Sequence, residues 1–229
     1  MQTLLLRPAH ASKLQTLGAG ARPLALPIDA RPRLRPVTAA DAQSMGAFLA
    51  GLAPGSRRQR FHGVVNPHSA SLLRQLTVVD GHLHAAWVAV LPGVGGGEQV
   101  VGEARYVRDG ADGAELAMTV ADGWCGRGVS GALLAALTDH AKQAGVQQLW
   151  AEVQLSNSRM QAFLQRQGFG PTAGVGGVEA GVLHFARTLA EAPAQQNLPR
   201  RAWQACQTLW ARLQPGSARW GQRVPHPAA

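Results

Sequence analysis

One stretch constrains this chain more than any other: Gly126-x-Gly128-x-x-Gly131, a glycine-rich run that opens directly onto a helical repeat. Val129, Leu133, Ala136, Leu137, His140, Ala141 and Ala144 recur at three- and four-residue spacing, with Asp139, Lys142 and Gln143 opposite. Gly145 closes the period as a C′ residue. A glycine turn at a helix start presents N–H groups that lack intrahelical acceptors, together with the positive end of the helix dipole. Such a corner suits a phosphate. The same glycines also have a plainer reading, a tight strand-to-helix turn with no ligand.

The spacing satisfies the dinucleotide fingerprint literally, and Glu152 falls about 20 residues later, as that motif asks. The surroundings argue against it. A dinucleotide loop leaves its strand directly and opens a parallel βαβ unit, whereas Ala121–Cys125 intervene here and Glu152 sits inside a strand. The preceding segments, His82–Val90, Gln99–Val107 and Glu115–Val120, are short β-like runs joined by tight turns, which predicts an antiparallel meander. Before them come a short strand over 34–37 and a helix capped by Thr38 and ended by Pro54-Gly55. A second helical region spans Ser56–Phe61 and Ala70–Leu76. After the glycine helix come a strand over Leu149–Leu155, a helix over Asn157–Gln167 closed by Gly168, and a hairpin from Phe169 to Thr188. The order predicts an α/β fold with a mixed, mostly antiparallel sheet of six to seven strands flanked by helices.

Charge is distributed unevenly. Residues 1–36 and 191–229 together account for the whole formal net charge of +9, and residues 37–190 carry eleven groups of each sign. The basic excess lies in flanks and on no recognisable binding domain, so neither nucleic acid nor a membrane is the expected partner. With 46% hydrophobic and 15% charged residues, the composition fits a globular chain. No 18-residue uncharged apolar run occurs, which excludes a membrane-spanning helix. Cys125 and Cys206, the only cysteines, make neither a disulfide scaffold nor a four-cysteine zinc site, so a reducing, cytoplasmic setting without metal is expected. Three regions follow: an irregular basic arm over 1–32, a domain over 33–190, and a basic extension over 191–229. The extension carries a helix over Leu198–Leu213, whose Trp203 and Trp210 suit docking onto the domain, pairing of two subunits, or a membrane surface.

The run from Glu115 through Met118 and Val120 to Arg127-Gly128-Val129-Ser130-Gly131 resembles motif A of the GNAT superfamily of acyl-CoA-dependent N-acyltransferases. Asn157 through Met160 and Phe163 to Gly168-Phe169 resembles its motif B. Leu34-Arg35-Pro36-Val37 with Asp41, Ser56–Gly63 and Leu76–Asp80 are similar to the bacterial protein lysine acetyltransferases of the Pat type. The resemblance implies a GNAT fold splayed between strands 4 and 5, acetyl-CoA as co-substrate with no metal, and direct transfer of acetyl to an amine. A protein lysine is the leading acceptor. A small-molecule amine, or a catalytically degenerate CoA-binding or protein-interaction module, are the alternatives. Cys125 stands where the motif has Gln or Arg, Ser130 where Gly or Ala is usual, and Leu164 where many relatives carry a tyrosine acid; the sole tyrosine, Tyr106, is on another strand.

The resemblance also assigns roles. Backbone N–H groups from Arg127 through Gly128, Val129, Ser130 and Gly131 would cradle the pyrophosphate, Met118–Val120 would hydrogen-bond the pantetheine arm, and Asn157 would meet it from the other side. A lysine of pKa ~10.4 is about 3.4 units from neutrality at pH 7, so exposing its lone pair costs about 4.6 kcal/mol unless a base takes the proton. Glu115 is the candidate base, with Glu103 on the neighbouring strand as rival, though Glu103 is also placed to pair with Arg105. A strand N–H of Thr119 or Val120 would meet the oxyanion. His62, His68, His82 and His84 suggest a metal only weakly: His82 and His84 would share a strand face, but no further ligand stands out. Arg57, Arg58 and Arg60 read as a solvated helix face or as an acceptor or phosphate contact, while Phe61, Trp87 and Trp150 read as core.

Overall fold

The computed structural model describes residues 31–93, 96–110, 112–172 and 181–189. Seven strands form one sheet in the order β1-β2-β3-β4-β5-β7-β6: β1 Arg33–Pro36, β2 His84–Pro92, β3 Glu98–Arg108, β4 Gly113–Val120, β5 Gln148–Gln154, β6 Gly170–Thr172 and β7 Val182–Thr188. Every neighbouring pair is antiparallel except β4 and β5. That exception follows from the connection. Tight turns join the meander, whereas α4 (Val129–Gln143) crosses over between β4 and β5 and returns the chain in the same direction. The mixed sheet expected from the sequence is present, with α1 Ala42–Gly51, α2 Pro54–Phe61, α3 Ala70–Thr77 and α5 Ser158–Arg166 around it.

The glycine helix begins at Val129, where the sequence places it, because Gly128 takes φ +82° as N-cap. Its end is a Schellman motif: Val146 N–H bonds Ala141 C=O and Gly145 N–H bonds Lys142 C=O, with Gly145 at φ +77°. Its buried stripe is wider than expected, adding Leu134 and Thr138, since the helix lies across both β2 and β3. Gly102 permits that approach. A Cβ there would meet Leu133 at 3.0 Å and Val120 and Val129 at 3.3 Å.

Other boundaries move for identifiable reasons. Pro54 opens α2 as its first residue rather than ending α1, in keeping with proline's preference for N1. The region after it resolves into two helices. Strand β2 starts at His84, not His82, because Asp80 Oδ1 accepts the N–H groups of His82, Leu83 and His84 and holds the chain in a turn. His82 and His84 therefore do not share a strand face. The arm, the extension with its Leu198–Leu213 helix, and residues 173–180 of the last hairpin lie outside the described residues, apart from residues 31 and 32. Among the described residues no helix is long and apolar enough to cross a membrane, and no cluster suits a metal ion.

The helices α1 to α3 cover the face of the sheet opposite α4. Met45, Leu49, Phe61, Leu76 and Val88, all at most 2% exposed, form its apolar core. Beneath them lies a buried ionic group. Glu103 accepts Arg60 Nε on one oxygen at 2.7 Å and Arg105 Nε on the other at 2.8 Å. Arg105 also donates to Leu76 C=O and to His84 Nε2, so α2, α3, β2 and β3 are tied at one point. Glu103, the rival base, is thus committed to structure, and Arg60 is no solvated face: it is buried against Glu103 and borders the cavity between the strands. Arg57 caps α1 instead, donating to the carbonyls of Leu49, Ala50 and Leu52. Burial raises the Glu103 carboxyl, but the charges and hydrogen bonds of Arg105 and Arg60 outweigh it and leave it below its ordinary value. His84, buried beside Arg105, is pushed down to about 3 and stays neutral.

Breaking such a group leaves uncompensated guanidinium charge in the interior. Glu103→Gln is expected to cost about 3–5 kcal/mol at neutral pH, read from denaturant unfolding. Because the folded carboxyl lies below its unfolded value, this contribution is present above the ordinary carboxylate range and is lost as pH falls through the folded pKa. The stability gap between wild type and variant is therefore expected to close in acid.

Candidate functional site

The parallel ladder between β4 and β5 is only three residues long: Gly113 with Gln148, Ala114 with Leu149, and Glu115 with Trp150. Beyond it β4 runs on to Val120 and β5 to Gln154 without pairing to each other. The strands fork, as the splay expected between strands 4 and 5 requires. A cavity of about 420 Å³ occupies the gap, reaching from α2 on one face to the glycine turn and α5 on the other.

Backbone direction decides what the fork offers. Ala121 N–H bonds Val101 C=O on β3, and successive residues of a strand turn their polar groups to opposite edges. By that alternation Thr119 and Ala117 are committed to β3, while Met118 and Val120 present N–H and C=O groups to the gap. The alternatives left by the sequence thus separate: the N–H aimed into the fork belongs to Val120, and Thr119, 9% exposed, turns its side chain to the Glu103 face.

At one end of the fork lies the glycine turn. Gly126 and Gly128, at φ +79° and +82°, curl the backbone so that the first turn of α4 faces the cavity, with Gly126, Gly128, Ser130 and Gly131 in its wall. The N–H groups of Val129, Ser130 and Gly131 have no acceptor within the helix, as at any helix start. Val129 contributes backbone only, its side chain being buried. Arg127 is exposed, outside the cavity wall, and stacks its guanidinium 5.0 Å over the Trp124 ring. The cation that reaches the turn from across the fork is Arg159 of α5, near Gly126. The motif B reading contained Arg159 without giving it a role. Asn157 caps α5, its Oδ1 accepting Met160 N–H at 3.1 Å, which leaves the carboxamide NH₂ as the group that can donate to a ligand. Leu164 is 1% exposed and lines the cavity wall. Cys125 Sγ lies 3.9 Å from Val120 C=O.

At the other end stand the titratable groups. Glu115 is the last β4 residue paired to β5, 7% exposed, and opens onto the cavity. Glu152, two residues past the fork on the same face of β5, lies in the same wall. His62 reaches it from the C-cap of α2 at φ +51°, with Nδ1 3.8 Å from Glu152 Oε2. Burial pushes the Glu152 carboxyl up, partly offset by His184. Burial and then the charge of Arg60 push His62 down. Both shifts favour the neutral form of the group concerned, and burial is the leading cause of each. Sequence reasoning weighed Glu152 only for a ribose and His62 only for a metal. Alternation from Trp150, placed opposite Glu115, is the signal that would have brought Glu152 to this face.

The chain is similar to known proteins in sequence and in fold. The acetyltransferase (GNAT) family model matches residues 58–169. An acetyltransferase Pat of Mycolicibacterium smegmatis is 35% identical over 137 residues, 59% of this chain and 40% of that one. An acetyltransferase of Pseudomonas aeruginosa is 31% identical over 137 residues and is covered over 73% of its length. Among solved structures, the GNAT domain of S. lividans PAT superposes with a TM-score of 0.62 at 28% identity, covering 69% of this chain and 90% of that one. A phosphinothricin acetyltransferase from Sinorhizobium meliloti, solved with AcCoA, shares the fold at a TM-score of 0.53 and 20% identity, over 73% of this chain and 94% of that one. With both motifs flanking a forked sheet and similarity extending along most of the Pseudomonas protein, the chain belongs to the GNAT acetyltransferase family.

Proposed function

We propose that this chain transfers the acetyl group of acetyl-CoA directly to an amine, with a protein lysine as the acceptor. The observation that carries this reading is the fork itself, which joins amides suited to a diphosphate to a buried carboxylate through one continuous cavity. The names of the relatives, an acetyltransferase Pat and the GNAT domain of a PAT, support the acyl chemistry, and the choice of lysine over a small amine rests on the likeness of Leu34–Val37, Ser56–Gly63 and Leu76–Asp80 to the Pat-type enzymes.

Each part of the cavity then has a task. Amides of Gly128, Val129, Ser130 and Gly131 bind the diphosphate at the start of α4, and Arg159 supplies a charge that can stabilise it. The open edge of Met118 and Val120 takes the pantetheine amides as a strand would, and the Asn157 carboxamide donates from α5. Glu115 accepts a proton from the amine, removing most of the cost of exposing its lone pair. The Val120 N–H is aimed where the oxyanion develops in the tetrahedral intermediate. A departing thiol of pKa ~8.5 needs little acid assistance, so the aliphatic side chain of Leu164 at the position of a tyrosine costs little.

Acetyl-CoA at a hundredfold its Kd is expected to add about 2.7 kcal/mol to stability, seen as a rise in Tm; no rise removes the donor assignment. Glu115→Gln is expected to keep that rise while lowering kcat about 100-fold or more at neutral pH. An acceptor screen scored by mass shift, protein library against small amines, decides the acceptor class.

A further inference from the structure

Acetylation of an ammonium releases two protons from nitrogen: one N–C bond forms, one C–S bond breaks, one proton ends on sulfur and one leaves the site. Glu115 accounts for one of these. We propose that Glu152, oriented by His62, is a second catalytic carboxylate, which brackets the acceptor ammonium with Glu115 and exports the other proton through the imidazole to solvent. This rests on the direct-transfer reading above.

The geometry carries it. Glu115 and Trp150 are register partners, so Glu152 stands two residues further along β5 on the same face of the sheet, just past the point where the strands part, and both carboxylates line the one cavity. Two carboxylates facing one cavity from the two arms of the fork can both approach a nitrogen placed between them. The groups facing Glu152 are His62 from α2, with Arg60 behind it bound to Glu103; His184 from β7, its register partner; Glu115 from β4; and Trp150 and Gln154 on its own strand. The Gln154 amide donates to Arg58 C=O, fixing β5 against α2 at this point. The His62 side chain is 17% exposed against 7% for Glu152, so it is the more accessible end of the pair.

Burial favours the neutral form of each member of the pair at rest. A cation arriving between Glu115 and Glu152 favours the carboxylate, so Glu152 ionises as the acceptor enters, and its proton passes to His62 and then to water. The carboxylate next takes a proton from the ammonium and is neutral again, while Glu115 takes the proton lost on attack and returns it to the departing sulfur. One proton has then left the site for each amide formed.

The test is the pH profile of kcat/KM with acetyl-CoA and a lysine peptide, read as thiol release by the full chain. Glu152→Gln is expected to lose at least about 10-fold at neutral pH, with the deficit closing as pH approaches the lysine pKa, where the free amine arrives unaided. The Tm rise with acetyl-CoA should be unchanged. His62→Asn is chosen because asparagine tolerates a positive φ; it should show a smaller deficit of the same shape, partly restored by added imidazole. A deficit of equal size at every pH, or none, overturns the proposal. If Glu152→Gln fails to melt cooperatively, His62→Asn decides on the same criterion. Should Glu115→Gln also leave the rate intact, the direct-transfer reading fails instead.

Discussion

Everything the sheet offers a ligand depends on how early β4 and β5 part. Three residue pairs hold the two strands together, and after Glu115 and Trp150 each keeps one outer neighbour, β3 or β7, while the edges between them stay open. A longer ladder would satisfy those edges internally and close the cavity. A shorter one would lose the fixed register that sets Glu115 beside Trp150 and hence one step from Glu152. The ladder length therefore fixes both the slot and the relation of the carboxylates at its end.

That opening needs rigid margins. On the α4 side the margin is close packing, with Gly102 letting Leu133, Val129 and Val120 come together over β3. On the opposite side it is ionic, through Glu103 between Arg60 and Arg105. The second margin matters for chemistry because Arg60 and His62 are two residues apart on the chain. Holding Arg60 against β3 also sets where α2 ends and where the His62 ring begins.

Periodicity and glycine placement made most of the framework legible. The start of α4 at Val129, its end at Gly145, the meander before it and the helix closed by Gly168 all follow from local rules, in which one residue type at one position removes the alternatives. Motif resemblance singled out the glycine turn, Asn157 and Glu115, and the structure sets them around one cavity. What sequence left open depends on long-range partners. Arg60 sits in a polar run, Ser56-Arg57-Arg58-Gln59-Arg60, that reads as a surface, and only its pairing with Glu103, 43 positions away, makes it interior. Glu152 and His62 are separated by 90 residues and meet only because β5 and α2 converge on one face. Local pattern also cannot tell the two edges of β4 apart, which is why Thr119 and Val120 separated only once Ala121 was seen bonded to β3.

Asn157 gives the fork an economy of its own. Its carbonyl oxygen terminates the backbone of α5, so the planar amide cannot rotate without uncapping the helix, and its nitrogen is left with a fixed heading. Under the proposed function, recognition at that point is inherited from a folding requirement. Drift toward aspartate would preserve the scaffold while reversing the polarity shown to a guest, whereas drift toward serine would preserve the scaffold and erase the handshake. If Asn157 holds the donor as proposed, the position can retain architecture through changes that silence binding, and a sequence bearing Asp or Ser there would keep the fold without that contact.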